Sequence, residues 1–147
     1  MPALYRDIVL DHHRAPRHHG ALDDPSHASD GVNALCGDSL RIELRVSEAR
    51  IVEYRFRGEC CAIATATASL LGQAVQGRAV AEIAPLQQAF AALVAGGEPA
   101  LPLGDLSALS ELARYPARRK CALLPWATLL AALRGDARTT TEKDDPA

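Results

Sequence analysis

Two short stretches of the chain alternate between apolar and polar residues. In SLRIELRV (39–46), Leu40, Ile42, Leu44 and Val46 fall on one side, with Arg41, Glu43 and Arg45 on the other. In VEYRFR (52–57), Val52, Tyr54 and Phe56 stand opposite Glu53, Arg55 and Arg57, and the intervening SEAR suits a hairpin turn. A period of two with one apolar side predicts an antiparallel hairpin, one face buried and one wet. Upstream the period changes. ALYRDIVLDHH (3–13) carries Leu4, Ile8 and Asp11/His12 at three-to-four spacing, which predicts a helix. HRAPRHHGALDDPSHASDG (13–31) holds two prolines, two glycines and several Asp and Ser, and reads as loop.

Downstream of the hairpin the pattern is helical. Cys61 to Gln76 is rich in Ala, Thr and Leu and stops at Gly77, as a glycine-closed helix would. Residues 79–97 continue as helical segments, with Pro85 in a first turn, and PALPLG (99–104) is linker. Asp105 is placed to cap a short helix over 106–114 that Pro116 ends. PWATLLAALRG (125–135) reads as the last helix, with proline early and glycine at its end. DARTTTEKDDPA (136–147) reads as a disordered polar tail. Strands followed by helices make an α+β fold. The expected architecture is a small antiparallel sheet, the 39–57 hairpin with room for a third strand. It packs against C-terminal helices, with the N-terminal helix leading in and residues 1–135 forming one domain.

Composition changes this picture little. The chain has 147 residues and a net charge of −2, so nothing global favours nucleic acid or an anionic membrane as partner. No apolar run approaches the ~18 residues of a spanning helix. The N-terminus mixes acids and histidines where a signal peptide keeps an apolar core. The expectation is a cytoplasmic protein.

Four cysteines give the chain its candidate chemistry: Cys36, Cys60, Cys61 and Cys121. In a reducing compartment, metal binding, catalysis or burial are better readings than disulfides. None of the short CxxC spacings of a zinc ribbon or redox motif occurs, so the fold must assemble any site. A hairpin returns to its starting end, which brings Cys36, before the first strand, near Cys60/Cys61, after the second. Cys121 precedes the expected last helix. Thiols near helix N-termini have lowered pKa values, and Arg119 and Lys120 would push Cys121 the same way. Asp38 adds a carboxylate, and three thiolates with one carboxylate would make a tetrahedral zinc set. Its hard oxygen ligand, weakly held beside sulfur, suggests a coordination sphere that can open. Adjacent residues point apart in a strand and sit about 100° apart in a helix, so only one of Cys60 and Cys61 serves easily. Periodicity does not choose between them.

LYRDIVLDHHRAPRHHG, CGD, FRGECCAIATATASLLGQAVQG and YPARRKCALLPW, in that order, resemble the IscU/SufU/NifU N-terminal family of iron–sulfur cluster assembly proteins. The match runs from about residue 4 to 134. The long segment between the second and third motif cysteines, and Lys120 where the IscU type has a histidine ligand, make it similar to the SufU type. The resemblance implies that Cys36, Asp38, Cys61 and Cys121 hold a metal, commonly zinc. It implies a cysteine desulfurase (SufS-type) as partner, with persulfide sulfur passed to Cys36 and Arg118 beside the site. On this reading the protein is a zinc-dependent sulfurtransferase partner of the desulfurase. The family's other assigned role is as scaffold, Cys36, Cys61 and Cys121 holding a transient [2Fe–2S] cluster for downstream assembly proteins or apo-acceptors. A further alternative is a module whose zinc is purely structural and supplies folding energy.

Two departures stand out. Where the family motif has a glycine before its second cysteine this chain has Cys60, and Ala62 and Ala64 replace small polar residues. That alignment makes Cys61 the ligand and requires the position of Cys60 to tolerate a side chain. Cys60 itself reads first as a buried thiol, with a resolving thiol or an alternative ligand as the other options. The pairs His12/His13 and His18/His19 read as a solvated helix end and loop rather than a metal tract, with a structural or partner-facing role open for His12. Arg118, Arg119 and Lys120 alternate between a solvated charge run and a site-adjacent role, and Trp126 reads as core.

Overall fold

The computed structural model describes residues 3–141, with side chains from Arg6 onward. Helix α1 (Ala3–Arg14) leads into strands β1 (His27–Asn33), β2 (Asp38–Ser47) and β3 (Arg50–Glu59). Then follow α2 (Ala62–Val75), a 3-10 turn (Val80–Glu82), α3 (Ile83–Val94), a 3-10 segment (Gly104–Arg114), α4 (Pro116–Arg134) and the two-residue strand β4 (Arg138–Thr139). The sheet order is β3-β2-β1-β4, antiparallel except for the parallel β1–β4 pair. The expected α+β class holds, with one helix leading into the three main strands and the other helices following them.

The hairpin carries the core. Leu40, Ile42 and Leu44 from β2 and Ile51, Tyr54 and Phe56 from β3 are buried in one apolar cluster with Leu70 and Leu71 of α2 and Trp126 and Leu129 of α4. Trp126 stacks on Phe90 of α3 with ring centroids 5.6 Å apart. The alternation predicted Val52 on the buried face, but Val52 is exposed and Ile51 takes the place. The cause is a register shift: Arg45 pairs with Glu53 and Val46 with Ile51, leaving Val52 as the extra residue of a bulge. The polar face is not uniformly wet. Glu43 is buried, accepting from Leu22 N–H at 2.9 Å and from Arg41 at 2.9 Å, with Arg57 3.1 Å away.

Strand β1 lies inside the stretch that read as loop. Its inward residues are Ser29, Gly31 and Asn33, small and polar, so no apolar alternation announces it. They are small because α4 passes close: a Cβ at Gly31 would lie 1.9 Å from Thr128 Oγ1. The last helix also differs. It begins at Pro116, a residue expected to end an element, and Pro125 lies in its interior. Proline suits a first helical turn because its missing N–H costs nothing there. Asp105 does not cap the segment that follows it. The preceding Leu103 is the cap residue, without a side-chain bond, and Asp105 instead accepts from Gln73 Nε2 at 3.3 Å. Pro85 stands in the first turn of α3, as expected.

The tail expected to be disordered is ordered over 136–141. Asp30 N–H bonds Ala137 carbonyl at 2.9 Å, β4 pairs with β1, and Thr140 and Thr141 bond Asn33. The rest of that tail lies outside the described residues, as does the side chain of Leu4. In α1, Val9 and His12 are buried and Asp11 is exposed. No helix among the described residues is long and apolar enough to cross a membrane.

Candidate metal centre

Three element ends converge at one edge of the sheet. Asp38 is the first residue of β2 and is buried. Cys61 is the N-cap of α2, extended at φ −63° and ψ 168°, and its sulfur accepts from Ala64 N–H at 3.4 Å. Cys121 is buried in the second turn of α4. The side-chain ligand atoms of Asp38, Cys61 and Cys121 all lie within 4.8 Å of one another. Asp38 is fixed by accepting the Cys61 N–H at Oδ1, 2.8 Å, while its Oδ2 lies 3.9 Å from Cys61 Sγ.

Gly58 makes this closure feasible. Its φ is +149°, and a Cβ there would stand 2.1 Å from the Ser39 carbonyl and 2.6 Å from Leu40 Cα. Only glycine lets β3 pass β2 so closely just before the two cysteines. Cys60 follows with room for its side chain. It turns to the apolar core and donates to the Ser39 carbonyl at 3.4 Å, leaving Cys61 to face Asp38 and Cys121.

The fourth expected ligand stands apart from this set. Cys36 is exposed on the β1–β2 turn, held by its N–H to the Asn33 carbonyl at 3.1 Å, with Gly37 at φ +75° following. It lies at the same end of the sheet but is not among the three atoms that converge. Arg118 is exposed in the first turn of α4 and lines a recess of about 260 Å³ with Ile63, Glu111, Leu112 and Tyr115. A recess of about 310 Å³ between α2, α3 and the 3-10 segment contains no cysteine. His12 is a structural residue, its Nδ1 2.7 Å from Ser69 Oγ, and the rings of His18 and His19 stand edge-on to Tyr54 and Phe56.

The expected lowering of thiol pKa is overturned at two positions. Burial, then the nearby Asp38 and Cys61, push Cys60 up to about 12. Burial, followed by Cys61 and Asp38, pushes Cys121 well above the usual thiol range. Cys121 sits within α4 rather than before it, and Arg119 is turned away to the Ala113 carbonyl at 2.9 Å. Acidic groups crowded in this way oppose each other's ionisation, and a bound cation reverses that sign. The donor set fits zinc. Tetrahedral bonds of ~2.0–2.3 Å place ligand atoms about 3.5–3.8 Å apart, near the Cys61–Asp38 separation already present.

Sequence reading missed Asn33, a fully buried amide at the end of β1. The only signal was its position three residues before Cys36, without any pattern to mark it.

An α+β domain with an Asp/Cys/Cys corner at the ends of a hairpin and a helix is the class that fold and site define. The chain belongs to the family described as NifU-like N terminal domain, whose model matches residues 4–133. It is 34% identical over 131 residues to the zinc-dependent sulfurtransferase SufU of Bacillus subtilis, covering 88% of each chain. To the iron–sulfur cluster assembly scaffold protein IscU of Streptococcus pyogenes it is 36% identical over 136 residues, covering 91% of this chain and 85% of that one. Among solved structures it is similar to a protein proposed as the SUF-system iron–sulfur cluster assembly scaffold of Fervidobacterium islandicum AW-1. That likeness has a TM-score of 0.82 at 26% identity, over 86% of this chain and 94% of the other.

Proposed function

We propose that this protein accepts persulfide sulfur from a cysteine desulfurase for iron–sulfur cluster assembly, with zinc held by Asp38, Cys61 and Cys121 and completed by Cys36. The observation that carries the reading is the division of the site: three ligand atoms converge while the fourth ligand, the Cys36 thiol, is exposed on an adjacent turn. A trio with Asp38 and Cys121 buried and Cys61 half-buried can keep a metal while one exposed thiol exchanges between metal and partner. Bound zinc would keep the thiols as thiolates near neutral pH.

In the transfer, the Cys36 thiolate attacks the outer sulfur of the partner's persulfide. A new S–S bond forms at Cys36, the partner's S–S bond breaks, and its cysteine leaves as thiolate, with no net oxidation. Asp38 keeps the corner closed through Cys61 N–H, and Arg118 offers a cation near the site to an approaching anionic persulfide. The similarity to a zinc-dependent sulfurtransferase supports this reading. The decisive variant is Cys36→Ala, expected to bring desulfurase turnover down to the level seen without this protein. Stimulation equal to wild type would exclude Cys36 as acceptor.

A scaffold role is the second reading, favoured by the relatives named as scaffolds. In that reading Cys36, Cys61 and Cys121 hold a [2Fe–2S] cluster. It requires a visible chromophore after anaerobic reconstitution and transfer of the cluster to an apo-acceptor.

A further inference from the structure

The side chain of Asn33 makes a complete set of hydrogen bonds that joins parts of the chain far apart in sequence. Its Nδ2 donates to the Lys120 carbonyl at 3.2 Å and to Thr141 Oγ1 at 2.7 Å. Its Oδ1 accepts from Thr141 N–H and from Thr140 Oγ1, each at 3.1 Å. Thr141 Oγ1 can pass its own proton to the same Lys120 carbonyl, 3.3 Å away. Both donors and both acceptor positions of the amide are used, and the fixed carbonyl and fixed N–H define which way it points.

The backbone of the same residue reaches the other half of the site. The Asn33 carbonyl accepts Cys36 N–H at 3.1 Å, and Asn33 pairs with Asp38 at the end of the β1–β2 ladder. Lys120, whose carbonyl is held by the side chain, directly precedes Cys121. One buried residue therefore contacts the seats of Cys36, Asp38 and Cys121. The seat of Cys121 needs the support. Pro125 stands four residues on and has no N–H, so the Cys121 carbonyl lacks its helical partner.

We propose that Asn33, clamped by Thr140 and Thr141 of the C-terminal segment, is a positioning residue for the metal centre. It sets the rotation of the first turns of α4, and so where Cys121 Sγ stands against Cys61 and Asp38. This rests on the metal reading of the site. Partners outside the ligand set commonly account for about 10–100-fold in metal affinity, and the clamp belongs with them although it acts through backbone.

The test compares wild type, Asn33→Asp and Thr141→Val in the full chain. Both substitutions keep shape. The first removes the two amide donors and the second removes one hydroxyl. Zinc affinity is measured by competition with a chromophoric chelator, and geometry by the visible spectrum of the cobalt-substituted protein. Ile51→Val, a core change far from the clamp, controls for lost stability. The expected result is zinc binding weakened at least tenfold in Asn33→Asp and several-fold in Thr141→Val, with altered cobalt bands in both. Ile51→Val should melt earlier yet bind zinc as wild type does. Wild-type affinity and spectra in Thr141→Val and in a folded Asn33→Asp would overturn the clamp and leave the metal site standing. Failure of the wild type to bind zinc would remove the metal reading and the clamp together. If Asn33→Asp does not fold, Thr141→Val decides alone.

Discussion

The adjacent thiols Cys60 and Cys61 show how much a single backbone position decides. Cys61 caps α2 and faces Asp38 and Cys121, whereas Cys60, half-buried, packs against the edge of the core and bonds the Ser39 carbonyl. Elemental analysis of the two serine variants should separate them cleanly. Cys61→Ser is expected to lose most of its zinc, since a hydroxyl is a poor substitute for thiolate. Cys60→Ser is expected to keep about one zinc per chain and to lose only modest stability, on the order of 1 kcal/mol, from a polar group placed against apolar neighbours. Zinc lost from Cys60→Ser alone would reverse the assignment. Hairpin geometry predicts Cys36, Asp38 and the thiol pair at one end of the sheet; the structure joins Asp38 and Cys61 with Cys121 there and leaves Cys36 exposed on the turn. The sequence did not choose between Cys60 and Cys61 until the family pattern was laid over them. Asn33 stayed hidden because a buried polar residue has no period: its environment comes from residues 120 and 140–141, both distant in sequence.

Among the elements, the hairpin was legible and the strand beside it was not. Leu40, Ile42 and Leu44 alternate because the helices cover one face of β2. The inward positions of β1 are Ser, Gly and Asn because α4 crosses too close for larger side chains. Proline misled in the opposite sense. Pro116 and Pro125 read as a stop and a start, but one continuous helix contains both, held by the packing of Trp126, Leu129 and Ala132. The β2–β3 turn offers a prediction of its own. Glu48 and Ala49 form a two-residue loop with φ of +52° and +63°, a conformation that suits Asn-Gly far better. Replacing Glu48-Ala49 with Asn-Gly should raise stability by about 1 kcal/mol, read as a higher urea midpoint with unchanged m-value. A lower midpoint would mean that the Glu48 or Ala49 side chain contributes more than the turn strain costs.

The whole molecule should lose stability in acid through two separable windows. Burial opposes the ionised form of Glu43, but hydrogen bonds from Arg57, the Leu22 N–H and Arg41 outweigh it and hold the pKa down to about 2. Its ordinary value is 4.5, so the contribution is complete above that pH and disappears as pH falls toward 2. A shift of that size corresponds to roughly 3 kcal/mol. His12 acts earlier. Burial, and then the nearby Arg17, lower its pKa below 6.5 against the opposing Asp11 and Asp105. The unfolded chain therefore takes up the proton first, and stability declines as pH drops below 6.5. Urea midpoints measured from pH 7 to 3 should fall in both ranges, and Glu43→Gln should flatten the lower one only. A wild-type curve flat below pH 4.5 would mean Glu43 is not held as described. One further consequence follows from how the sheet is bordered. The outer side of β3 is bonded by His18 and Gly20 at one end and by Gly77 and Arg78 at the other, while β4 lies along β1. Bare strand edges recruit other chains. A protease nick in the 77–80 stretch, or trimming of 137–141, would uncover such an edge, so partial degradation rather than heat is the route by which this protein is expected to begin to aggregate.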